Sequence, residues 1–128
     1  MNTTGLNHVI LTVSDLARAR AFYGDLLGFD VKVMEDDPDG SFFFPAGDVY
    51  FFLFPSREPI PGDRFSESRI GLDHLSFNAP SREALDELAD RLIAAGVPTM
   101  GVEQFAPTGN WYVAFRDPDN IQLEYWLP

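Results

Sequence analysis

One short pattern occurs twice in this chain, as Asn7-His8-Val9-Ile10-Leu11 and as Asp73-His74-Leu75-Ser76-Phe77, with the histidines 66 residues apart at positions 8 and 74. Each copy is followed by a helix-like stretch that ends at a glycine, Gly28 in the first half and Gly96 in the second. Self-similarity at so long a period marks a duplicated supersecondary unit, so the two halves have to be read against each other before any single residue is interpreted. The repeat also carries the only two histidines of the 128-residue chain.

In the first half, His8 to Val13 is a β-branched, apolar run of strand character, and Ser14 or Asp15 supplies a side-chain acceptor for a helix start. Leu16, Ala19, Phe22 and Leu26/Leu27 follow at helical spacing, and Gly28 is placed to close the helix in a left-handed conformation. Extended segments are expected at Val31 to Glu35, Ser41 to Phe44 and Val49 to Phe54, separated by Asp36-Asp37-Pro38-Asp39-Gly40 and Pro45-Ala46-Gly47-Asp48. The order is βαβββ.

The second half repeats that order. A strand at His74 to Asn78 breaks at Pro80, and Ser81 caps a helix with Leu85, Leu88, Leu92 and Ile93 on one face. Strands near Thr99 to Glu103, Trp111 to Arg116 and Ile121 to Trp126 follow, the last two joined by the turn signal Asp117-Pro118-Asp119-Asn120. The fold class expected is α+β, one domain over 1–128 with module one at 5–54, a linker at 55–70 and module two at 71–128. Pro55 to Ile70, with three Pro and no periodicity, reads as that linker.

Composition narrows the function. Twenty acidic against nine basic residues give a net charge of −11, which repels polyanions, so nucleic acid is not an expected partner. No apolar run approaches the roughly 18 to 20 residues needed to span a bilayer, so no membrane partner is expected. No basic apolar leader precedes Leu6 and Cys is absent, which excludes disulfides and thiolate metal sites and makes a cytoplasmic location the default.

Strand alternation sends His8, Ile10 and Thr12 to one face and the apolar Val9, Leu11 and Val13 to the other, under the helix. The same parity puts His74, Ser76 and Asn78, with Gln122, Glu124 and Trp126, on the face away from the second helix. Two His and one Glu therefore share the non-helical faces. A buried carboxylate left unpaired is costly, and two His with one carboxylate form a facial set for a divalent metal with open coordination positions. A lone strand His is ordinarily a hydrogen-bonded structural residue; its placement at equivalent points of a repeat, with Glu124, favours ligation.

The runs His8-Val9-Ile10-Leu11-Thr12-Val13-Ser14-Asp15-Leu16, Phe22-Tyr23, Leu26-Leu27-Gly28-Phe29, His74 before the second helix, and Asp117-Pro118-Asp119-Asn120 leading to Leu123-Glu124 resemble the vicinal oxygen chelate superfamily. That group includes glyoxalase I, fosfomycin-resistance proteins, extradiol dioxygenases and bleomycin-resistance proteins, and the likeness covers nearly the whole chain. It implies two βαβββ modules forming a curved eight-stranded mixed sheet around a cavity, a divalent metal held by His8, His74 and Glu124, and a homodimer. It leaves Fe(II), Mn(II), Ni(II) or Zn(II) open.

Superimposing the last strands of the halves with an offset of 72 sets Phe52 against Glu124, so the fourth ligand position of the family is apolar here. Glyoxalase I generally carries a carboxylate or amide there, which argues against that activity. Extradiol dioxygenases resemble one another in a further catalytic His, and both histidines are already used. Fosfomycin-resistance proteins surround a phosphonate with basic residues, whereas this chain has one Lys, Lys32.

The expected function is thus a metal-dependent lyase, isomerase or dioxygenase acting on vicinal oxygens of a small, partly apolar substrate, with a metal-bound water or Glu124 itself, partly released from the ion, as the candidate base. The alternative is a metal-free ligand-sequestering protein resembling bleomycin-resistance proteins. Thr12, Tyr50, Phe52, Phe54, Ser76, Asn78, Gln122 and Trp126 are the expected substrate-cavity residues, although aromatic runs such as Phe42-Phe43-Phe44 and Tyr50 to Phe54 equally suit a core. Gln104 to Asn110 reads as a lid or a long hairpin connection. Asp36, Asp37 and Asp39 read as a solvated turn, because a calcium loop needs an acidic residue where Gly47 stands.

Overall fold

The computed structural model describes all 128 residues as two compact units, Met1–Asp63 and Arg64–Pro128. In the first unit, β1 (His8–Val13) leads into α1 (Leu16–Arg20), which widens into a π-helical turn at Ala21–Leu26; β2 (Lys32–Val33), β3 (Phe42–Ala46) and β4 (Val49–Pro55) follow. The second unit runs β5 (Leu75–Asn78), α2 (Arg82–Ala94), β6 (Thr99–Gln104), β7 (Trp111–Arg116) and β8 (Gln122–Leu127). Each unit is therefore βαβββ, and the fold is α+β.

The sheets have the same topology, β1-β4-β3-β2 and β5-β8-β7-β6. In each, the first strand lies parallel to the last and the remaining pairs are antiparallel, so both sheets are mixed. Register makes the repeat explicit. Ile10 pairs with Phe52 and Ser76 pairs with Glu124, which reproduces the offset of 66 on the first strands and 72 on the last.

The burial of β1 alternates as the sequence requires: His8, Ile10 and Thr12 are exposed, whereas Leu11 and Val13 are buried. Asp15, rather than Ser14, caps α1, its Oδ1 accepting from the Arg18 N–H at 2.8 Å. The π turn that follows places the consecutive residues Phe22 and Tyr23 both in the interior. Phe44 lies at the centre of this core. Its ring stacks on Phe29 at 4.3 Å, Phe51 at 5.4 Å and Tyr23 at 5.5 Å, each an offset aromatic contact that adds to simple area burial.

In the second unit Leu85, Leu88, Ala89 and Leu92 form the buried stripe of α2, capped by Ser81, whose Oγ accepts from the Ala84 N–H at 3.2 Å. Ile93 departs from expectation at 61% exposure. It sits about 80° round the helix from Leu85, at the margin of the stripe. Gly28 and Gly96 take positive φ, 86° and 72°, and close their helices in the left-handed conformation that glycine tolerates.

Other bounds move by a residue or two. β2 is confined to Lys32–Val33, with one further backbone bond from the Met34 N–H to the Ser41 carbonyl (2.8 Å) before the chain turns at Asp36, φ 63°. Asp37 accepts from the Asp39 and Ser41 N–H groups, so its carboxylate serves the turn, as expected of a solvated loop. The boundary between units falls inside the expected linker, and its second part is tied to the β7–β8 turn. Phe65 donates its N–H to the Asp119 carbonyl (3.0 Å), Asn120 Nδ2 donates to the Phe65 carbonyl (2.8 Å) and Arg64 donates to Asn120 Oδ1 (2.9 Å).

Candidate functional site

Each sheet has one face under its helix and one open face, and the polar residues of the repeat lie on the open faces. In the first unit these are His8, Ile10 and Thr12 of β1 and Tyr50, Phe52 and Phe54 of β4, with Ile10 54% and Tyr50 47% exposed. The His8 ring meets the edge of Phe52 at 5.8 Å, and Phe52 stacks between Phe43 at 5.5 Å and Phe54 at 6.4 Å. An aromatic row thus occupies the place that register makes equivalent to Glu124. Phe42, Phe44, Phe51 and Leu53 point the other way into the core, so each aromatic run divides between core and open face by strand parity.

In the second unit Ser76 and Asn78 lie on β5 and Gln122, Glu124 and Trp126 on β8. His74 stands one residue before β5, its Nε2 3.5 Å from Glu124 Oε2. That carboxylate is mostly withdrawn from solvent, its side chain 15% exposed. Tyr112 of β7 stacks on Trp126 at 5.6 Å, and Phe105 meets Trp126 edge-on at 5.6 Å. Burial first, then the charges of Glu103 and Glu124, push the Tyr112 hydroxyl pKa up, so it remains a donor across the neutral range.

Both histidines are held in the same way. His8 Nδ1 lies 2.7 Å from Asn7 Oδ1, and His74 Nδ1 lies 2.6 Å from Asp73 Oδ1. An acceptor on Nδ1 places the proton there and leaves Nε2 with the lone pair, the tautomer in which imidazole ligates a cation. For His74 the consequence is sharp. A lone pair then faces the Glu124 carboxylate at 3.5 Å, two acceptors with no hydrogen between them, and either a proton or a cation satisfies both. His74 and Glu124 are thus two donors of a chemistry that suits a divalent cation. No group of three or more His, Cys, Asp or Glu side chains in the structure is gathered so as to hold a metal ion. The second unit supplies the pair His74 and Glu124, and His8 belongs to the first.

Two features of this face escaped the sequence reading. Asn7 and Asp73 precede the histidines in both copies of the pattern, a signal that was present in the repeat. Arg116 and Glu67 form a two-pronged ion pair, at 2.6 Å and 3.0 Å, across 49 residues of chain, and no local pattern announces it.

A family model for the Glyoxalase/Bleomycin resistance protein/Dioxygenase superfamily matches residues 5–125. The chain belongs to this superfamily. Among solved structures, a glyoxylase/bleomycin resistance protein/dioxygenase domain from Frankia sp. EAN1pec is 35% identical, covers 98% of each chain and superimposes with a TM-score of 0.80. A catechol-2,3-dioxygenase of Bacillus subtilis (strain 168) is 34% identical over 74% of this chain and 33% of its own length. An ethylmalonyl-CoA/methylmalonyl-CoA epimerase of Cereibacter sphaeroides is 30% identical over 75% of this chain and 79% of its own. Superfamily membership thus spans relatives named for quite different reactions. As in the open faces described above, the fold is the common element and the reaction is decided by the side chains on it.

Proposed function

We propose that the protein is a divalent-metal-dependent enzyme acting on a small, partly apolar substrate with two adjacent oxygens. His8, His74 and Glu124 are its metal ligands, through the Nε2 atoms and the carboxylate. The observation that carries this reading is the His74–Glu124 pair, which sets two lone-pair donors 3.5 Å apart, an arrangement that a bound cation satisfies. When bound, the ion supplies Lewis acidity to vicinal oxygens and stabilises negative charge developing on them.

The remaining chemistry belongs to the chain. Asp73 and Asn7 hold the imidazoles in orientation. Glu124 would also be the candidate base for a proton on the carbon next to the substrate oxygens. The protonated Tyr112 hydroxyl is a donor on the same face, and the rings of Trp126, Phe52, Phe54 and Tyr50 make the wall against which the apolar part of the substrate packs. Thr12, Ser76, Asn78 and Gln122 supply neutral polar contacts. A protein working as a homodimer in the cytoplasm is the setting we propose for this chemistry.

Phe52 distinguishes this site from one with four protein ligands, since it offers no donor where its repeat partner Glu124 offers a carboxylate. The relatives named as a dioxygenase and an epimerase give the two reaction types to screen, oxygen-dependent cleavage and proton transfer beside a carbonyl.

The test is metal content. Protein purified anaerobically without a histidine tag should carry near-stoichiometric metal by mass spectrometry, and His74→Ala should not. Absence of metal from the parent, even after reconstitution with Fe(II), Mn(II), Ni(II) or Zn(II), would overturn the reading in favour of a metal-free binder of aromatic ligands.

A further inference from the structure

The two sheets fill one row of equivalent positions in opposite ways. On the open face of the second sheet Glu124 lies between its register partners, Ser76 of β5 and Ala114 of β7. The same row of the first sheet is Ile10, Phe52 and Phe43, with Phe52 in the place of Glu124 and Phe43 in the place of Ala114. There Phe43 stacks its ring on Phe52 at 5.5 Å, so the ground beside the central residue is taken by the protein's own side chain. Ala114 brings only a methyl group to that place, and it is half-buried, so solvent reaches it.

The neighbours of Ala114 determine what kind of group can lie over it. Parity keeps Val113 and Phe115 in the core and puts Tyr112, Ala114 and Arg116 on the open face. On one side Tyr112 stacks on Trp126 at 5.6 Å and the two rings form an apolar wall. On the other, Arg116 donates to Gln122 Oε1 at 3.1 Å and to both oxygens of Glu67 at 2.6 Å and 3.0 Å, so its charge is already matched and attracts no further anion. Glu124 and the net charge of −11 repel one. The ground over Ala114 therefore suits an uncharged, apolar group.

We propose that Ala114 is the specificity-determining residue of this face: it leaves a seat beside Glu124 for an uncharged apolar substituent of the substrate, as large as the ring that Phe43 sets at the equivalent place in the first unit. The proposal rests on the metal site put forward above and names the part of the substrate that the site selects. Directly opposite residues of antiparallel strands have Cβ atoms roughly 4.5 to 5.5 Å apart, so a group over Ala114 lies next to whatever Glu124 holds. A substrate whose vicinal oxygens carry a bulky neutral substituent fills the seat, whereas one with a methyl group in that place leaves it to water. The first sheet also shows that this position of the fold accepts a full ring, so closing the seat by substitution is compatible with the βαβββ architecture.

Two arms test it on the full chain, one of them without metal. The chain has no Cys, so Ala114→Cys gives a single thiol at the seat, and its modification by methyl methanethiosulfonate and by the bulkier benzyl methanethiosulfonate is followed by mass spectrometry. The benzyl reagent should react within about threefold of the methyl reagent, and the thiol of Val113→Cys, in the core, should react with both at least about tenfold more slowly. In the second arm acetohydroxamate and cyclohexanecarbohydroxamate, two chelators with the same adjacent oxygens, are titrated calorimetrically into Mn(II)-supplemented protein. The parent should prefer the cyclohexyl compound by at least about tenfold, and Ala114→Phe should lose that preference while it binds acetohydroxamate as the parent does. Ala114→Val should fall between the two. A thiol closed to the benzyl reagent in the folded protein, equal binding of the two chelators by the parent, or a preference that survives Ala114→Phe would each overturn the proposal. A thiol that takes the benzyl reagent in a protein that binds no Mn(II) would sink the metal reading and keep the seat, and a closed thiol in a protein that binds Mn(II) would do the reverse.

Discussion

Removing the Asp73 side chain should weaken metal binding without unfolding the protein, and both magnitudes follow from the structure. Asp73 Oδ1 lies 2.6 Å from His74 Nδ1 and is the contact that fixes this tautomer, while its side chain is 67% exposed. Loss of such a partner to a ligating imidazole costs roughly 10- to 100-fold in metal affinity, which is about 1.4 to 2.7 kcal/mol. The same contact, exposed as it is, contributes under about 1 kcal/mol to folding. Asp73→Ala should therefore lose affinity in a competition titration against a chromophoric chelator while its thermal midpoint stays close to the parent's. Asp73→Asn keeps an acceptor, as Asn7 does for His8, and should fall between the two. An Asp73→Ala protein that is folded and binds metal within about twofold of the parent would refute the reasoning.

Further outcomes follow from the packing and the charges. Phe44→Ala removes a fully buried ring stacked on three others and should cost about 3 to 5 kcal/mol in denaturant unfolding. Ser81→Ala deletes the cap of α2 and should cost about 1 kcal/mol in the same assay. Glu67 is held down to about 2, chiefly by its hydrogen bonds with Arg116, so its contribution is present above the ordinary carboxylate range and is lost as pH falls from there towards 2. Acid titration of stability should accordingly show a component in that window that Glu67→Gln lacks.

Much of the architecture was legible because the chain states it twice. The repeated histidine pattern, the helix-closing glycines and strand parity gave the βαβββ order and the open faces, and the offset of 72 on the last strands is the offset found by register. What local patterning could not supply was long-range. Ile93 fits a helical period yet lies at the margin of the stripe, since periodicity does not state how wide a face the sheet covers. β2 is shorter than expected: the Val31 N–H turns back to the Phe29 carbonyl instead of entering the ladder, which a β-propensity reading does not anticipate. Residues 64–67 looked like linker on composition and are tied to the β7–β8 turn by contacts 49 to 56 residues distant in sequence. The placement of His8, His74 and Glu124 at the open faces was legible from strand parity, whereas the pairing of each histidine with the residue before it required the side-chain geometry.

The claim on which the account turns is that His8 and the His74–Glu124 pair ligate one ion. Equilibrium titration of the metal-free protein with Mn(II), read by electron paramagnetic resonance of the free ion, tests it most directly when His8→Ala is run beside the parent. One site per chain in the parent, with affinity reduced at least about tenfold in His8→Ala, is the predicted result. Unchanged Mn(II) binding on removal of His8, or no binding by the folded parent, would contradict it.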